Sequence, residues 1–255
     1  DTPLLAAVSK GHIDVCRLLL EAVHTHDTNP NGTCAYYEML CDTNKPGDTP
    51  LSVCVGCAQD GPLLNLLLDW EEKQPRQWEQ SNQQQQPQPP QRPLNAKNNN
   101  GLTPLLVACE RNSAATVEEL ILKRGASTII CDDKGRSPLA VAAFCGCEDV
   151  VRKILSLMPT THDKPNNSKN DNSVDQDNYV IVLGHEMLDY ADKLGCTPLW
   201  LAARTGNAKM VQILVEAGAD VTIQNNDDGL TPENVAIKFK KEKVNTYFRE
   251  LAASG

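Results

Sequence analysis

Short apolar stretches with a helical period recur along this chain, and each is opened by a small hydroxyl residue followed by proline. In the clearest stretch, Thr197-Pro198 opens a first apolar run, Gly206 interrupts it, and apolar residues return at helical spacing over 210–214 before Gly218. A hydroxyl side chain is a good N-cap, proline suits the first helical position, and glycine accepts the left-handed conformation that ends many helices. The pattern therefore predicts two short helices, ending at Gly206 and Gly218.

The same opening occurs six times. Its six copies are Thr2-Pro3, Thr49-Pro50, Thr103-Pro104, Ser137-Pro138, Thr197-Pro198 and Thr231-Pro232. Two of the intervals are 34 residues long, whereas the others are 47, 54 and 60 residues, so we infer a unit of about 33 residues with insertions at three junctions. A unit of this size buries its apolar face only against its neighbours, which predicts a solenoid.

The repeats and insertions can be placed along the chain. The predicted repeats span about residues 1–22, 42–70, 96–126, 130–157, 189–221 and 226–253, and the predicted insertions about 23–37, 71–93 and 158–185. The second insertion is rich in Gln and Pro and the third in Asn, Asp, Ser and Lys, compositions typical of unstructured spacers. The apolar segment 179–183 is interpreted as ordered. Because Asp1 falls inside a repeat, we expect the natural protein to be longer.

The fifth copy carries a family resemblance. Its sequence Gly195-Cys-Thr-Pro-Leu-Trp-Leu-Ala-Ala-Arg-Thr-Gly206, followed by Glu216-Ala-Gly-Ala-Asp220, resembles the ankyrin repeat family, whose signature includes T-P-L-H-x-A. The resemblance implies an all-α fold, an ankyrin-type α-solenoid of stacked helix-turn-helix repeats with β-turn fingers.

One departure from the family pattern affects every copy. The histidine after T-P-L is absent, and the residues in its place are Leu5, Ser52, Leu106, Ala140, Trp200 and Asn234. Other packing must therefore link neighbouring repeats. In the last copy Glu233 replaces the leucine and several lysines follow, which suits a terminal repeat that faces water.

Charge and cysteine content narrow the possible partners and compartment. The net charge of −9 argues against nucleic acid and anionic membranes as partners, and no apolar run reaches transmembrane length. The ten cysteines mostly replace small helix residues, so we interpret them as packing residues of a reducing compartment, cytoplasmic or nuclear. Cys57 and Cys145 are predicted to be surface thiols.

The chain offers little chemistry. Cys54-x-x-Cys57 is compatible with a redox pair or half of a zinc site, with Cys34, Cys41, His24 and His26 as further ligands. No second such pair accompanies it, and Cys54 already has a packing role, so packing is the preferred interpretation. No serine-hydrolase elbow, phosphate loop or kinase motif is found. We therefore expect no cofactor, no bound metal and no catalytic activity within this chain.

Candidate binding residues follow from the resemblance. If the first helices line a concave face, the residues after each small pair point into it, and turn tips lie beside them. The predicted partner-binding residues are Glu110, Arg111, Phe144, Cys145, Arg204, Thr205, Trp200, Lys134 and Arg136. Phe144, Arg111 and Arg204 stand out because aromatic and arginine side chains dominate interface energies. Trp200 has two interpretations, a buried packing residue or an exposed anchor.

Two function classes remain. The first is a scaffold or adaptor that binds a protein partner through the concave face and turn tips. The second is a targeting or regulatory module of a larger enzyme, such as a kinase, ubiquitin ligase or acyltransferase, with catalysis outside these 255 residues. The partner's identity and the oligomeric state do not follow from the sequence.

Overall fold

The computed structural model of the chain describes residues 2–24, 35–57, 61–73, 92–157 and 187–254. These residues form helices and turns without a strand, so the predicted all-α class is confirmed for them. Most of the three predicted insertions, including the segment 179–183, lies outside these ranges. The predicted lack of structure in the second and third insertions, the predicted order of 179–183 and the repeat boundaries drawn around the insertions therefore stay predictions. The chain divides into two compact units, residues 1–108 and 109–255.

The helices of each unit follow one another in short pairs. The first unit contains α1 (Pro3–Lys10), α2 (Ile13–His24), α3 (Ala35–Cys41), α4 (Pro50–Gly56), α5 (Pro62–Glu72), a 3-10 helix (Pro93–Asn95) and most of α6 (Pro104–Glu110). The second unit contains α7 (Ala114–Glu118), which continues as a π-helical segment (Glu119–Lys123), then α8 (Pro138–Cys145), α9 (Glu148–Leu157), α10 (Pro198–Thr205), α11 (Ala208–Glu216), α12 (Pro232–Lys238) and α13 (Glu242–Ser254).

All six predicted hydroxyl caps are present. In each first helix, the side chain of the Thr or Ser before proline accepts a hydrogen bond from the backbone N–H three residues later, at 3.2–3.5 Å. Proline occupies the first helical position, where its missing N–H costs nothing. Gly11, Gly146 and Gly206 end their helices with φ between 72° and 89°. The helix starts and these three ends are therefore fixed by local residues.

In the first unit, helix pairs pack on each other around a leucine-rich core. Helix α1 lies against α4 and α2 against α5, with Leu4, Val8, Leu67 and Leu68 buried between them. Helix α3, which the apolar pattern did not predict, packs against α2 and α5.

An ion pair between exposed Arg92 and buried Glu71 joins the two sides of the second predicted insertion. The Arg92 guanidinium donates to both carboxylate oxygens of buried Glu71 at 3.0 and 3.1 Å. Because Glu71 precedes the segment 74–91 and Arg92 follows it, this bidentate pair holds the flanking chain ends together.

In the second unit, first helices pack side by side. Helix α10 lies between α8 and α12, while the second helices pack as α7 on α9 and α11 on α13. The small pairs Ala142-Ala143 and Ala202-Ala203 are fully buried, as the sequence predicted. Small side chains at these places let neighbouring helices approach closely, and the rows of side chains on α8, α10 and α12 therefore run in register.

The turns before the first helices share one construction. Asp132 Oδ1 accepts hydrogen bonds from the backbone N–H groups of Lys134 and Arg136, and Asp192 Oδ1 accepts from those of Leu194 and Cys196. Successive turns are also joined, because the backbone N–H of Lys193 donates to the carbonyl of Lys134 at 3.0 Å. These side-chain bonds let each turn fold locally before it meets the next.

The third repeat absorbs one extra residue in its second helix. Gly125 lies 22 residues after Thr103, whereas Gly218 lies 21 residues after Thr197. The π-helical segment Glu119–Lys123 accommodates this extra residue, and the Ala126 N–H bonds to the Leu120 carbonyl at 2.8 Å. A single π turn is the usual way in which a helix absorbs an insertion without losing its register.

Candidate functional site

Two register positions on the first helices of the second unit are exposed in every copy. They lie seven and eight residues after each cap residue, and we call them the first-helix face. Its members are Glu110, Arg111, Phe144, Cys145, Arg204, Thr205, Lys238 and Phe239, all of which are exposed. Because α8, α10 and α12 pack side by side, the positions on these three helices form neighbouring rows. The structure therefore brings most of the predicted binding residues to one register.

Arg204 has an unusual environment on this face. Its guanidinium carbon lies 5.6 Å from the centroid of the Trp200 ring and 5.5 Å from that of the Phe239 ring. Trp200 lies one helical turn earlier on α10, and Phe239 follows α12. An arginine over aromatic rings is attracted by their π faces and loses conformational freedom. The fold therefore orients this charged group before any partner arrives.

The ring of Phe144 packs against the guanidinium of Arg136. The Arg136 guanidinium carbon lies 5.1 Å from the Phe144 ring centroid, and the same guanidinium pairs with Asp132 Oδ2 at 2.6 Å. Arg136 and Asp132 are both buried, whereas Phe144 keeps 40% of its surface exposed. Arg136 is one of the predicted partner-binding residues. In the structure its charge is neutralised by Asp132, and its guanidinium packs against the Phe144 ring.

Of the two interpretations of Trp200, a buried packing residue or an exposed anchor, the structure shows the first. Only 5% of its surface is exposed, and its Nε1 donates a hydrogen bond of 2.9 Å to the carbonyl of Leu230 in the following turn. The Leu230 N–H in turn bonds to Asn225 Oδ1. Trp200 therefore links neighbouring repeats from the place where the family pattern has histidine, and its ring lies against the Arg204 guanidinium.

The remaining predicted residues lie at the edge of the site. Lys134 is exposed at a turn tip, with its backbone bonded to Asp132 and Lys193. Arg111 follows α6 and is exposed next to Glu110, whose carbonyl accepts a hydrogen bond from the Cys147 thiol at 3.6 Å. The side chains of Lys134 and Arg111 are thus available to a partner.

Sequence reasoning missed the acidic and amide residues that build the turns. Asn44, Asn98, Asp132 and Asp192 each lie three residues before a glycine with positive φ. The signal was present as an Asn/Asp-x-x-Gly motif just before the openings at Thr49, Thr103, Ser137 and Thr197. Asp228 was assigned to a turn tip, but its hydrogen bond to Lys238, which lowers the pKa of its carboxyl, was not foreseen.

The thiols fall into two groups. Cys57 and Cys145 are exposed, as predicted, whereas Cys16, Cys54, Cys109, Cys147 and Cys196 are buried. Burial raises the pKa of the Cys196 thiol to about 12, and it raises the pKa of Cys109 further. Partial burial and the nearby Glu110 charge also raise the pKa of Cys145. Buried cysteines with raised pKa values behave as small apolar residues.

A short maleimide pulse at neutral pH is expected to modify Cys57 and Cys145 and to leave Cys109 and Cys196 unmodified. The thiolate is the reacting form, so burial protects these two residues both by denying access and by raising the thiol pKa. Peptide mass mapping after the pulse measures the pattern, and the same pulse in 6 M guanidinium is the control in which all four should react. Rapid labelling of Cys109 in the folded chain would contradict this assignment.

The described residues do not support the alternative of a zinc site at Cys54 and Cys57. Cys54 is fully buried in the core, and Cys57 lies exposed at the end of α4. Within the described ranges, no three His, Cys, Asp or Glu side chains are grouped as metal ligands. Of the other suggested ligands, Cys41 is partly buried at the end of α3. The side chains of Cys34, His24 and His26 are not described.

No helix in the described parts of the chain combines the length and apolar character needed to cross a bilayer.

Comparisons with known proteins agree with this geometry. A family model described as ankyrin repeats in three copies matches residues 57–167, and the single ankyrin repeat model matches residues 1–31 and 194–226. A curated relative, the putative ankyrin repeat protein FPV022 of fowlpox virus (strain NVSL), is 28% identical over 113 residues. That match covers 44% of this chain and 19% of the viral protein, so the chain spans only a small part of this relative's length.

Among solved structures, the chain is similar to the ankyrin repeat domain of Bcl-3, described as a unique member of the IkappaB protein family. The match covers 98% of this chain and 86% of that one, with a TM-score of 0.63 and 21% sequence identity. At this identity the likeness shows the fold alone. Together, the family models cover more than half of the sequence and coincide with the capped helix pairs described above. The chain therefore belongs to the ankyrin repeat family, whose stacked helix pairs form protein-interaction modules.

Proposed function

We propose that this chain is a non-catalytic scaffold or adaptor that holds a protein partner on the first-helix face of its second unit, with the adjacent turn tips completing the contact. The observation that carries the proposal is the joint exposure of Phe144, Arg204 and Phe239 at the two exposed register positions of packed helices. Exposed large aromatics beside arginine are the composition of interface centres rather than of ordinary surface.

The packing under this face supports the same conclusion. Asp132 fixes Arg136, Arg136 supports Phe144, and Trp200 with Phe239 orients Arg204. Because these side chains are held by the fold itself, a partner loses little conformational entropy in ordering them. A rigid face with aromatic and charged groups suits recognition of another protein, and no described cluster suits covalent chemistry or metal binding.

The cysteines support a reducing compartment for this function. Seven cysteines within the described ranges are free thiols: Cys16, Cys41, Cys57, Cys109, Cys145, Cys147 and Cys196. Four of these, Cys16, Cys109, Cys147 and Cys196, are buried as small apolar residues. Disulfides are rare in the cytosol and nucleus, where free thiols persist. We assign the protein to one of these compartments.

Replacing Arg111, Phe144 and Phe239 together with alanine is expected to weaken partner binding about tenfold or more. These side chains are exposed, so the variant should fold as the parent does. The partner is first captured on the intact chain and identified by mass spectrometry. The purified partner is then titrated against parent and variant by isothermal calorimetry.

The matched control carries three alanines on second helices, at Arg152, Gln212 and Lys243, all of them exposed. Its affinity should equal that of the parent. Equal loss in both variants, or full affinity in the first, would refute this face as the binding site. Failure of the intact chain to bind any protein would refute the interaction function itself.

A further inference from the structure

The guanidinium of Arg204 is the one arginine group of the first-helix face that is both held by aromatic rings and left without an acid. Among the described residues, no carboxylate lies within ion-pair distance of it, and it donates no hydrogen bond. The contrast with Arg136 is direct, because Arg136 also contacts a ring but gives its charge to Asp132 at 2.6 Å.

The nearest candidates for pairing are already occupied. Burial and the charges of Asp192 and Asp228 raise the pKa of the Cys196 thiol, while the charge of Arg204 lowers it, so all three charges act on that thiol. Asp192 Oδ1 accepts hydrogen bonds from two backbone N–H groups of its own turn. Asp228 bonds to Lys238.

Lys238 is therefore not a second free cation beside Arg204, and Asp228 is not its internal partner. Arg204 is the one guanidinium of this part of the face that is held by rings and lacks a carboxylate partner among the described residues. The side-chain stem of Lys241 lies nearby, against Gly206, but no ring in the described parts of the chain holds its ammonium.

We propose that Arg204 is the receptor for a side-chain carboxylate of the partner, which presents an acidic residue flanked by apolar residues. Rings against the guanidinium leave its edge N–H groups directed away from them, and this edge matches the two oxygens of a carboxylate. Phe144 occupies the same register position as Arg204, and Phe239 occupies the next one. At 40% and 45% exposure, these rings supply apolar contacts for the flanking residues. The inference rests on the proposed function and adds the chemistry of the partner.

A carboxylate fits this site better than a phosphate does. Phosphate groups carry nearly two negative charges and are bound by clusters of cations, whereas Arg136 and Lys238 are each engaged by an aspartate. The planar fork of one guanidinium matches the two oxygens of one carboxylate. The net charge of −9 also disfavours a polyanion such as nucleic acid on the same surface.

The test uses a phage-displayed library of random twelve-residue peptides selected on the intact chain. Selected peptides are expected to combine Asp or Glu with a neighbouring aromatic or aliphatic residue. Their affinities are measured by fluorescence anisotropy for the parent chain and for Arg204→Gln, Arg204→Lys and Arg152→Gln. Arg152→Gln removes the same charge from the exposed side of α9 and is the matched control.

Arg204→Gln is expected to weaken binding about tenfold or more, because the peptide carboxylate is left without its partner. Arg204→Lys should weaken it less, since charge is kept but the planar fork is lost. Arg152→Gln should leave the affinity unchanged. A peptide with its acidic residue changed to Gln should bind the parent as weakly as the original peptide binds Arg204→Gln, and this measurement leaves the protein unaltered.

Three results would overturn the inference. Selected peptides without acidic residues, or with affinities insensitive to Arg204→Gln, would remove Arg204 as a receptor while leaving the interaction function intact. A phosphoserine that binds more tightly than Glu at the same peptide position would assign the site to phosphate. If no peptide binds, both the carboxylate receptor and the peptide-binding form of the proposed function fail.

Discussion

Replacing Gly195 with alanine is expected to destabilise the second unit by about 2–5 kcal/mol. Gly195 has φ of 75°, a conformation that strains residues with a β-carbon, and an alanine Cβ would lie 2.7 Å from the backbone nitrogen of Asn226. That nitrogen donates to the Leu194 carbonyl at 2.8 Å, so the added methyl group would force the two neighbouring turns apart. Urea denaturation followed by circular dichroism gives the change in unfolding free energy.

Gly125→Ala is the matched control for this prediction. Gly125 has φ of 69° in the same unit, but an added Cβ would meet no atom within 4 Å. Its cost should be only the backbone strain, about 1 kcal/mol. If the two variants lose equal stability, the close approach of neighbouring turns contributes nothing, and Gly195 is needed only for its backbone conformation.

Replacing Trp200 with alanine is expected to cost about 3–5 kcal/mol of unfolding free energy. The change removes a large buried ring, the hydrogen bond from its Nε1 to the Leu230 carbonyl and the support under Arg204. The same denaturation measurement applies.

Trp200→Phe separates the hydrogen bond from the packing. This variant keeps an aromatic ring but removes the hydrogen-bond donor. Loss of the hydrogen bond alone should lower the unfolding free energy by about 1 kcal/mol. A larger loss would show that the smaller ring leaves a cavity. Leu194→Ala at an exposed turn tip is the control and should change stability by less than about 0.5 kcal/mol. A Trp200→Ala variant as stable as this control would show that the tryptophan does not link the repeats.

The two predictions probe the same junction from opposite sides. Gly195 allows one turn to lie against the next, and Trp200 ties the helix after that turn to the carbonyl of the following turn. Neither residue belongs to the first-helix face. Damage at either position should also weaken binding, because Arg204 depends on the position of Trp200 and on Phe239 from the next repeat.

Local sequence signals predicted the helix starts well, because the cap hydroxyl, proline and closing glycine act within a few residues of one another. The same signals did not predict α3 or the π-helical segment after α7. Helix α3 has no proline opening and lies packed against α2 and α5, while the π turn follows from one additional residue that had to fit a fixed repeat length.

The sequence predicted which helix positions form the candidate site, but not which of its charged side chains are paired within the fold. Counting from each cap residue identified Phe144, Arg204 and their neighbours, because an α-helix sets the direction of a side chain from its position. The same count could not distinguish Arg136 from Arg204. Both are arginines near an aromatic ring, and only the folded chain shows that Asp132 neutralises Arg136 while Arg204 stays unpaired.

The sequence by itself determined the all-α class, the ankyrin repeat family, the six capped first helices and the register of the exposed face. These depend on short-range chemistry: a hydroxyl that caps, a proline that fits, a glycine that turns and a repeat that requires neighbours. Only the tertiary structure decided which charges remain unpaired, which rings are buried and how Trp200 replaces the missing histidine. Those outcomes depend on contacts between side chains of different repeats, and a local sequence pattern does not determine the distances between such side chains.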